Sequence, residues 1–353
     1  MKLALQQAQK NLANTKENPS VGCVITKNNS VISVGATSDN GRPHAEYNAI
    51  YQSTINLKGT ELYATLEPCS HYGKTPPCIK SIINSGVKKV FFSINDPDLR
   101  SYNKSAALLK KKNVKVKKGI CRNETSSFYR SYIKSKGSLL PFVTCKLAVS
   151  KDFFTINKKE RWITNKFSRA RVHLMRSNHD CIMTSSKTII NDNPVLTCRI
   201  NGLENRSPSR IILDRNLKIS LNSNIIKGAK SHRTIIFYNK VNKNKIKKLK
   251  NLGIQVIKIS LDKESNLDLH ESLIKTKELG FYRVFLESGK KMTTNFLYKN
   301  LIDDFILFIS NKNLLKNGKN IIKNELKLFL SNKKANNEKV NLFGEKLIRY
   351  KIK

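Results

Sequence analysis

Three residues with metal-binding side chains stand together in the first half of the sequence. His44 opens the tripeptide His-Ala-Glu, and Cys69 and Cys78 follow it within thirty-four residues. A catalytic zinc ion takes three protein ligands and leaves its fourth position to water. One neutral imidazole and two thiolates would balance the charge of the ion. Because zinc lowers the pKa of its bound water to about 7, this set predicts one catalytic zinc ion per chain and a nucleophile near neutral pH.

Glu46 lies two residues after His44 and is not needed as a ligand, so it is the predicted catalytic proton shuttle. His-x-Glu followed by Pro-Cys and a second cysteine is the signature of zinc deaminases. Each part alone has an ordinary explanation, since His-Ala-Glu can begin a solvated helix and cysteines can be small buried hydrophobes. Hydrolytic deamination is favoured because a strand-like run, Glu61 to Leu66, leads directly into Glu67-Pro68-Cys69.

Length and composition limit the kind of protein. The chain has 353 residues, which predicts two domains. It contains no apolar run of about 18 residues, so no membrane span is expected. Its first residues lack the apolar core of a signal peptide. Without a signal peptide, seven cysteines argue against a disulfide framework, and we expect the protein to be located in the reducing cytoplasm.

The chain is strongly basic, with 66 Lys and Arg against 25 Asp and Glu and a net charge of +41. One explanation is binding to nucleic acid. The other is compositional drift, because lysine is spread over the whole chain together with asparagine and isoleucine. No confined basic stripe with interleaved aromatic residues is present, which favours drift and disfavours nucleic acid as a partner. A positive field would also attract phosphorylated substrates.

Hydrophobic patterning predicts alternating strands and helices in the first part, and therefore a layered α/β sheet. His44 and Glu46 fall in the first turn of one helix, and Cys78 begins another. The predicted helices are 1–16, 44–53, 77–85, 104–112 and 124–136, and the predicted strands are 21–27, 31–36, 60–66, 87–94 and 114–117.

A turn-rich stretch, Gly137 to Pro141, is the predicted boundary between domains 1–140 and 141–353. Lysine- and asparagine-rich stretches at 240–250 and 331–339 are predicted to be solvated surface. The strands predicted in the second part are 142–150, 181–184, 209–213, 233–238, 255–258, 283–287, 304–310 and 347–352.

The spacing of the two cysteines carries a family resemblance. Eight residues, Ser-His-Tyr-Gly-Lys-Thr-Pro-Pro, separate Cys69 from Cys78, whereas base deaminases usually place the second cysteine about three residues after the first. This insertion, together with Asn18 to Ile25, resembles the deaminase half of the bifunctional riboflavin-biosynthesis deaminase–reductase family. The resemblance implies a cytidine deaminase-like three-layer domain, with Asn18, His71 and Lys74 orienting the substrate.

The second part shows no metal cluster, no nucleophilic triad and no Gly-x-Gly-x-x-Gly loop. Its polar stretch from Thr184 to Arg199 would alone be read as a strand end, a short helix and an ordinary loop. Together with Lys146 to Asp152, Trp162-Ile163-Thr164 and Leu286 to Gly289, it resembles the reductase half of the same family. That half has a dihydrofolate reductase-like α/β fold and uses NADPH.

Matching the family's motifs position by position implies two groups of residues. The cofactor group is Ala148, Trp162, Thr188, Asp192, Gly289, Lys290, Lys291, Met292 and Thr293, with Gly289 and the following backbone holding phosphates at a helix start. The substrate group is Arg176, Leu196, Arg199 and Glu287. Arginine suits a substrate that carries a ribose phosphate, because its planar fork binds phosphate through two hydrogen bonds. Arg215 is expected near the 2′-phosphate of NADPH.

Several positions depart from the family pattern. Phe153-Phe154 replace a glycine and a basic residue, Glu160 replaces a serine, and Arg215 replaces a small residue. The stretch from Asp98 to Asn103 replaces a glycine-containing loop, and Lys290-Lys291 replace smaller residues. The zinc ligand set is untouched.

The resemblance implies a bifunctional cytoplasmic enzyme of riboflavin biosynthesis that deaminates a phosphorylated diaminopyrimidine and then reduces its ribosyl group. One alternative is a deaminase of tRNA or polynucleotide bases whose second half is a non-catalytic relic. Another is a structural zinc module closed by His71 as a fourth ligand, which would leave Glu46 without a role. A homo-oligomer is left open.

Overall fold

The computed structural model describes residues 1–353. The chain forms two compact units, Met1–Leu139 and Leu140–Lys353. No helix in it is both long enough and apolar enough to cross a membrane.

The first unit is a five-stranded sheet in the order β2-β1-β3-β4-β5 with helices packed against it. Strand β1 pairs antiparallel with β2 and β3, while β3, β4 and β5 run parallel. The strands are β1 Gly22–Lys27, β2 Ser30–Ala36, β3 Glu61–Leu66, β4 Lys89–Ile94 and β5 Lys115–Lys118. The helices are α1 Lys2–Lys10, α2 Ala45–Tyr51, α3 Cys78–Asn84, α4 Ser105–Lys110 and α5 Arg122–Gly137.

Two glycines let helices lie directly on this sheet. A Cβ on Gly22 of β1 would stand 1.8 Å from the carbonyl oxygen of Ala4 in α1. A Cβ on Gly35 of β2 would stand 2.2 Å from the carbonyl oxygen of Ala45, the first residue of α2. At these two points the sheet carries no side chain, and the first turn of α2 is held close to the strands.

The helix predicted over residues 1–16 is too long, because α1 ends at Lys10. Ala13 and Lys16 have positive φ angles of 70° and 52°, which an α-helix excludes. The Asn11 side chain donates instead to the carbonyl of Thr37 at 2.8 Å, which fixes the turn that follows α1.

The second unit is built on a nine-stranded sheet in the order β11-β10-β9-β8-β12-β6-β13-β16-β15. The seven strands from β11 to β13 in this order are parallel. Strand β16 pairs antiparallel with β13, and β15 pairs antiparallel with β16. The strands are β6 Phe142–Val149, β7 Phe154–Asn157, β8 Cys181–Ser185, β9 Ser209–Leu213, β10 Thr234–Tyr238, β11 Gln255–Lys258, β12 Arg283–Glu287, β13 Asp304–Ile309, β14 Gly318–Ile321, β15 Ala335–Asn337 and β16 Lys346–Lys351.

Hydrophobic clusters cover both faces of this sheet, one around Val143, Met183 and Leu286 and the other around Ile182, Phe285 and Ile306. The helices are α6 Lys166–Arg176, α7 Ser186–Asp192, α8 Asn224–Lys227, α9 Lys243–Asn251, α10 Leu269–Glu278, α11 Lys290–Tyr298 and α12 Lys323–Leu330. Both lysine-rich stretches are mostly exposed, as predicted, although they include α9 and β15.

The pair of phenylalanines after Asp152 has a structural consequence. Phe153 adopts φ 66°, in the left-handed region that favours glycine, which explains why a glycine suits this position. Phe154 begins β7, which pairs with β14 in a separate two-stranded sheet. A Cβ on Gly318 of β14 would stand 2.3 Å from the Phe154 ring, so the glycine on the paired strand makes room for the ring.

Candidate active sites

The structure brings the three predicted metal ligands of the first unit together. Nδ1 of His44 lies 3.3 Å from Sγ of Cys78 and 3.5 Å from Sγ of Cys69. All three ligand atoms lie within 4.8 Å of one another. His44 immediately precedes α2, Cys69 follows β3, and Cys78 is the first residue of α3. One imidazole and two sulfurs at these distances fit a single zinc ion with an open fourth position.

Local backbone geometry prepares Cys69 to be a thiolate. The backbone N–H of Cys78 donates to Sγ of Cys69 at 3.1 Å, at the start of α3. Hydrogen bonds from Cys78 and His44 lower the pKa of Cys69 to about 4, against the opposing effect of burial. Burial also works against protonation of His44, but the hydrogen bond to Cys69 and the charge of Glu46 raise its pKa overall. The hydrogen bond to Cys69 and burial raise the pKa of Cys78, so that zinc binding would release a proton from this thiol.

Glu46 lies beside this cluster and outside it. Its side chain is 3% exposed, and Oε2 is 3.5 Å from Sγ of Cys78. Burial raises the pKa of Glu46 to about 7, with the charge of His44 opposing the shift. A carboxyl group with this pKa can both accept and release a proton near neutral pH, which is what a proton shuttle needs.

The predicted substrate residues of the first unit surround the segments that carry the ligands. Asn18 packs against Gly41, where a Cβ would stand 2.3 Å from its Nδ2. His71 is half-buried and its Nδ1 lies 2.8 Å from Oγ of Ser101, while Lys74 is exposed in the same loop. His71 is not among the clustered ligands, so the cluster is not closed by a fourth residue.

Two residues at this site have no counterpart among the sequence predictions. Arg42 has Nη1 3.4 Å from Nε2 of His44 and donates to Oγ1 of Thr75, so it joins the two segments that flank the cluster. In the sequence it is only an arginine before Pro-His, a pattern too common to predict a role for Arg42. The other is Glu67, which lies in the Glu-Pro-Cys motif that the sequence does show.

Glu67 is 2% exposed and anchors the loop after β4. Its carboxylate accepts hydrogen bonds from the backbone N–H groups of Asp96, Asn103 and Ser105 at 3.2, 2.9 and 3.0 Å. It also accepts one from the Ser105 hydroxyl at 2.7 Å. A buried carboxylate satisfied in this way is a structural anchor, and here it ties the loop to the strand end that carries Cys69.

In the second unit, the predicted residues lie at the carboxyl ends of three adjacent strands. Ala148 is near the end of β6, Thr188 is in the first turn of α7 after β8, and Glu287 ends β12. Since β8, β12 and β6 are neighbours and parallel, these positions share one edge of the sheet. Ligands of open α/β sheets bind at such an edge.

Two of the four predicted substrate residues are paired with each other. Arg176 donates from Nε and Nη2 to the two carboxylate oxygens of Glu287 at 2.6 and 3.0 Å. Its Nη1 donates to the carbonyl of Thr197 at 2.9 Å. Lys146 lies opposite Glu287 in the sheet register and was not among the predicted site residues. Burial lowers the pKa of Lys146 despite the charge of Glu287.

Arg199 differs from Arg176 because no carboxylate pairs with it. Its side chain is exposed, and burial together with the charges of Arg176 and Arg161 lowers its pKa. Its backbone N–H donates to Nδ1 of His173 at 3.2 Å, which fixes the course of the chain there. Leu196 is buried and packs in one hydrophobic cluster with Ala148. An exposed guanidinium group without a carboxylate partner suits a phosphate.

The cofactor positions have mixed surroundings. Trp162 is 48% exposed, and the guanidinium groups of Arg161 and Arg169 lie 5.0 and 4.9 Å from the centroid of its ring. Asp192 ends α7, and its carbonyl accepts a hydrogen bond from Arg161 at 3.0 Å. The Thr188 hydroxyl lies 3.2 Å from that of Ser185.

The start of α11 is open in front of Gly289. No atom lies within 4 Å of a Cβ built on this glycine, and its φ of −76° is ordinary, so neither strain nor packing demands a glycine there. Thr184 adds a buried hydroxyl without a hydrogen-bond partner at the end of β8. Free space beside helix N–H groups fits the phosphates of a dinucleotide.

The side chains in the first turn of α11 have different surroundings, and most of them are not free to bind a phosphate at Gly289. Lys290 donates to the carbonyl of Ile321 at 2.5 Å and pairs with Glu325 at 2.6 Å. Lys291 is exposed, Met292 packs against the core, and Thr293 is buried. Apart from the exposed side chain of Lys291, the groups of this turn that are available to a phosphate are therefore backbone N–H groups. Arg215 donates to the carbonyl of Ser265, so its guanidinium already has one partner.

Comparison with known families and proteins agrees with this geometry. Residues 1–94 match the cytidine and deoxycytidylate deaminase zinc-binding region, and residues 141–343 match the RibD C-terminal domain. Riboflavin biosynthesis protein RibD of Aquifex aeolicus is 33% identical over 350 residues, covering 99% of this chain and 96% of that protein. The corresponding protein of Chlamydia trachomatis is 30% identical, covering 100% and 93%.

Solved structures show the same similarity over the whole chain. The diaminohydroxyphosphoribosylaminopyrimidine deaminase/5-amino-6-(5-phosphoribosylamino)uracil reductase of Thermotoga maritima superposes with a TM-score of 0.84 at 29% identity, covering 99% of this chain and 97% of that one. Acinetobacter baumannii RibD gives a TM-score of 0.83 at 26% identity with the same coverage. The predicted fold class, the pairing of deaminase and reductase activities and the cofactors zinc and NADPH are confirmed. The chain belongs to the RibD family, the bifunctional deaminase–reductases of riboflavin biosynthesis.

Proposed function

We propose that domain 1–140 deaminates 2,5-diamino-6-(5-phosphoribosylamino)pyrimidin-4-one and that domain 141–353 then reduces the ribosyl group of the product to ribityl. The observation that carries the first step is the buried Glu46 beside three clustered ligands that leave a fourth position open. The second step is supported by the open start of α11 and by the arginines near Glu287.

In the first domain, His44, Cys69 and Cys78 would hold the zinc, which supplies an activated water when bound. Glu46 takes a proton as the water adds to the ring carbon that bears the amino group. It then delivers protons to the ring nitrogen and to the departing amine, so that ammonia leaves. Asn18, His71 and Lys74 orient the substrate, with the charge of Lys74 directed at its phosphate.

In the second domain, Ala148, Trp162, Thr188 and Asp192 line the NADPH site. Gly289 leaves room for its phosphates, which the backbone N–H groups of Lys290, Lys291 and Met292 bind. The N–H of Thr293 donates to the carbonyl of Gly289 at 3.1 Å instead, so Thr293 offers no backbone donor. NADPH supplies the hydride, and the protein supplies position. The side chain of Lys290 is already engaged and takes no part.

Arg199 binds the ribose phosphate of the substrate, because it is exposed and has no carboxylate partner. Arg176 and Glu287 act as a pair: their two hydrogen bonds and the contact of Arg176 with Thr197 hold the segment that carries Leu196 and Arg199. The buried Leu196 supplies an apolar surface for the substrate.

The test is to incubate purified protein with the diaminopyrimidine phosphate, with and without NADPH, and to follow the products by mass spectrometry. Without NADPH we expect replacement of one amino group by oxygen, and with NADPH a further gain of two hydrogens. Inosine or uracil in treated RNA would support the polynucleotide alternative instead. The expected partner is a phosphorylated pyrimidine and not nucleic acid.

Seven free cysteines suit the reducing cytoplasm, which we propose as the location of the enzyme.

A further inference from the structure

One serine of the loop after β4 reaches the segment that directly follows Cys69. Ser101 is fully buried, with an exposed fraction of 0%. Its hydroxyl oxygen accepts a hydrogen bond from the backbone N–H of Ser70 at 3.3 Å. The same oxygen lies 2.8 Å from Nδ1 of His71. Ser101 thus contacts both residues between the first cysteine ligand and the exposed part of its loop.

The hydrogen bonds around Ser101 determine which nitrogen of His71 carries the proton. The N–H of Ser70 can only donate, so the serine oxygen is the acceptor in that contact. A buried hydroxyl needs an acceptor for its own hydrogen, and Nδ1 of His71 is the acceptor within reach. If Nδ1 accepts this hydrogen bond, the proton of the neutral ring is on Nε2.

The loop that carries Ser101 is held in place independently of His71. Glu67 binds the backbone N–H groups of Asp96, Asn103 and Ser105, on both sides of the serine. Asn103 has φ 57°, a left-handed conformation that asparagine tolerates better than most residues. The serine hydroxyl is therefore presented from a rigid support, although its loop departs from the family's glycine-containing sequence.

We propose that Ser101 is a positioning residue for deamination: it holds the His71 ring with the proton on Nε2, so that His71 donates a hydrogen bond to an oxygen of the phosphorylated substrate. This inference rests on the proposed function, in which His71 orients the substrate. Ser101 itself does not touch the substrate. Its effect passes through one imidazole ring, so the serine should contribute nothing once His71 has been removed.

The kinetic test compares Ser101→Ala, His71→Ala and the double variant in the zinc-loaded, full-length enzyme. Ser101→Ala should raise the deaminase KM by roughly threefold to tenfold, the factor expected for a lost hydrogen bond to a neutral group, with little change in kcat. In the His71→Ala background the serine substitution should add nothing, because residues that act through one contact are not additive. Zinc content and the reductase activity of the second unit report whether each variant is folded and should not change.

A spectroscopic test judges the inference without any activity measurement. The ¹⁵N shifts of labelled histidine distinguish Nδ1–H from Nε2–H rings, and the chain has only six histidines to assign. We expect the Nε2–H form for His71 in the wild-type protein and a mixture of both forms in Ser101→Ala. A wild-type Nδ1–H ring, an unchanged ring in the variant, or additive KM effects would each overturn the proposal. A protein that fails to deaminate but shows these shifts would refute the proposed function and leave the Ser101–His71 contact established.

Discussion

In the first unit, three ligand atoms lie within 4.8 Å of one another and come from the thirty-five residues between His44 and Cys78. In the second unit, the residues assigned to cofactor and substrate come from the ends of three strands and from the segments after them. The first site depends on the chemistry of side chains. The second depends on open space and backbone groups near Gly289 and on a segment held in place around Arg199.

This difference predicts how the two sites respond to substitution. At the metal site each side chain has a role that no neighbour can take, so single changes should abolish activity. In the second unit the cofactor carries the reaction, and single side chains contribute only part of the binding free energy. Substitutions there should therefore give smaller, graded effects.

The largest effect is expected for Cys69→Ser. Without one of its two thiolates the site should lose zinc, and deamination should fall below detection. Metal analysis and the deamination assay measure both, while NADPH oxidation with the deaminated product should continue. Full zinc occupancy in this variant would show that the assigned ligands are wrong.

Glu46→Gln should keep the zinc and the fold but reduce kcat for deamination by about 10²-fold or more, the usual contribution of a general acid or base. The glutamine is nearly isosteric and cannot shuttle a proton. Metal analysis separates the two roles: loss of zinc would make Glu46 a ligand, and a near wild-type rate would remove it from the mechanism.

Arg199→Ala should raise the reductase KM by roughly 10- to 150-fold, because a hydrogen-bonded charged contact contributes about 1.5–3 kcal/mol. The deamination rate of the same preparation is the control and should not change. Steady-state oxidation of NADPH at varied substrate concentration measures the effect. An unchanged KM would mean that another residue binds the phosphate.

Lys290→Ala should have the smallest effect, although Lys290 stands at the cofactor loop. Its side chain already pairs with Glu325, and partly exposed pairs contribute only about 0–1 kcal/mol. The KM for NADPH should stay within about twofold of wild type if only backbone groups of this turn bind the phosphates. A tenfold increase would show that the lysine turns toward the cofactor when it binds.

The sequence was most informative where side-chain chemistry is dense. His44, Glu46, Cys69 and Cys78 could be named from residue type and spacing, and the structure brings them together. Most strands of both units could be placed from hydrophobic patterning. The predicted helix 1–16 is longer than α1 because the Asn11 side chain donates to the Thr37 carbonyl, a contact between residues that are distant in sequence.

Other features depend on tertiary contacts and leave no local pattern. Strands β7 and β14 were missed because each is four residues long and they pair only with each other. Arg210 reads in the sequence as a surface charge within a strand. In the structure it is fully buried and donates to the carbonyls of Val195, Gly228 and His232 and to the Thr234 hydroxyl. Its partners are mostly backbone groups, which residue types do not reveal.

Glu67 has a consequence for how this enzyme can change over evolutionary time. Three of its four hydrogen-bond donors are backbone N–H groups, which every residue except proline possesses. These three hydrogen bonds therefore depend on the path of the main chain and not on which side chains the loop carries. Substitutions can accumulate between Asp98 and Asn103 without loosening the strand end that carries Cys69. The side chains of this loop can thus change, and with them the contacts to the substrate, while the metal ligands keep their positions.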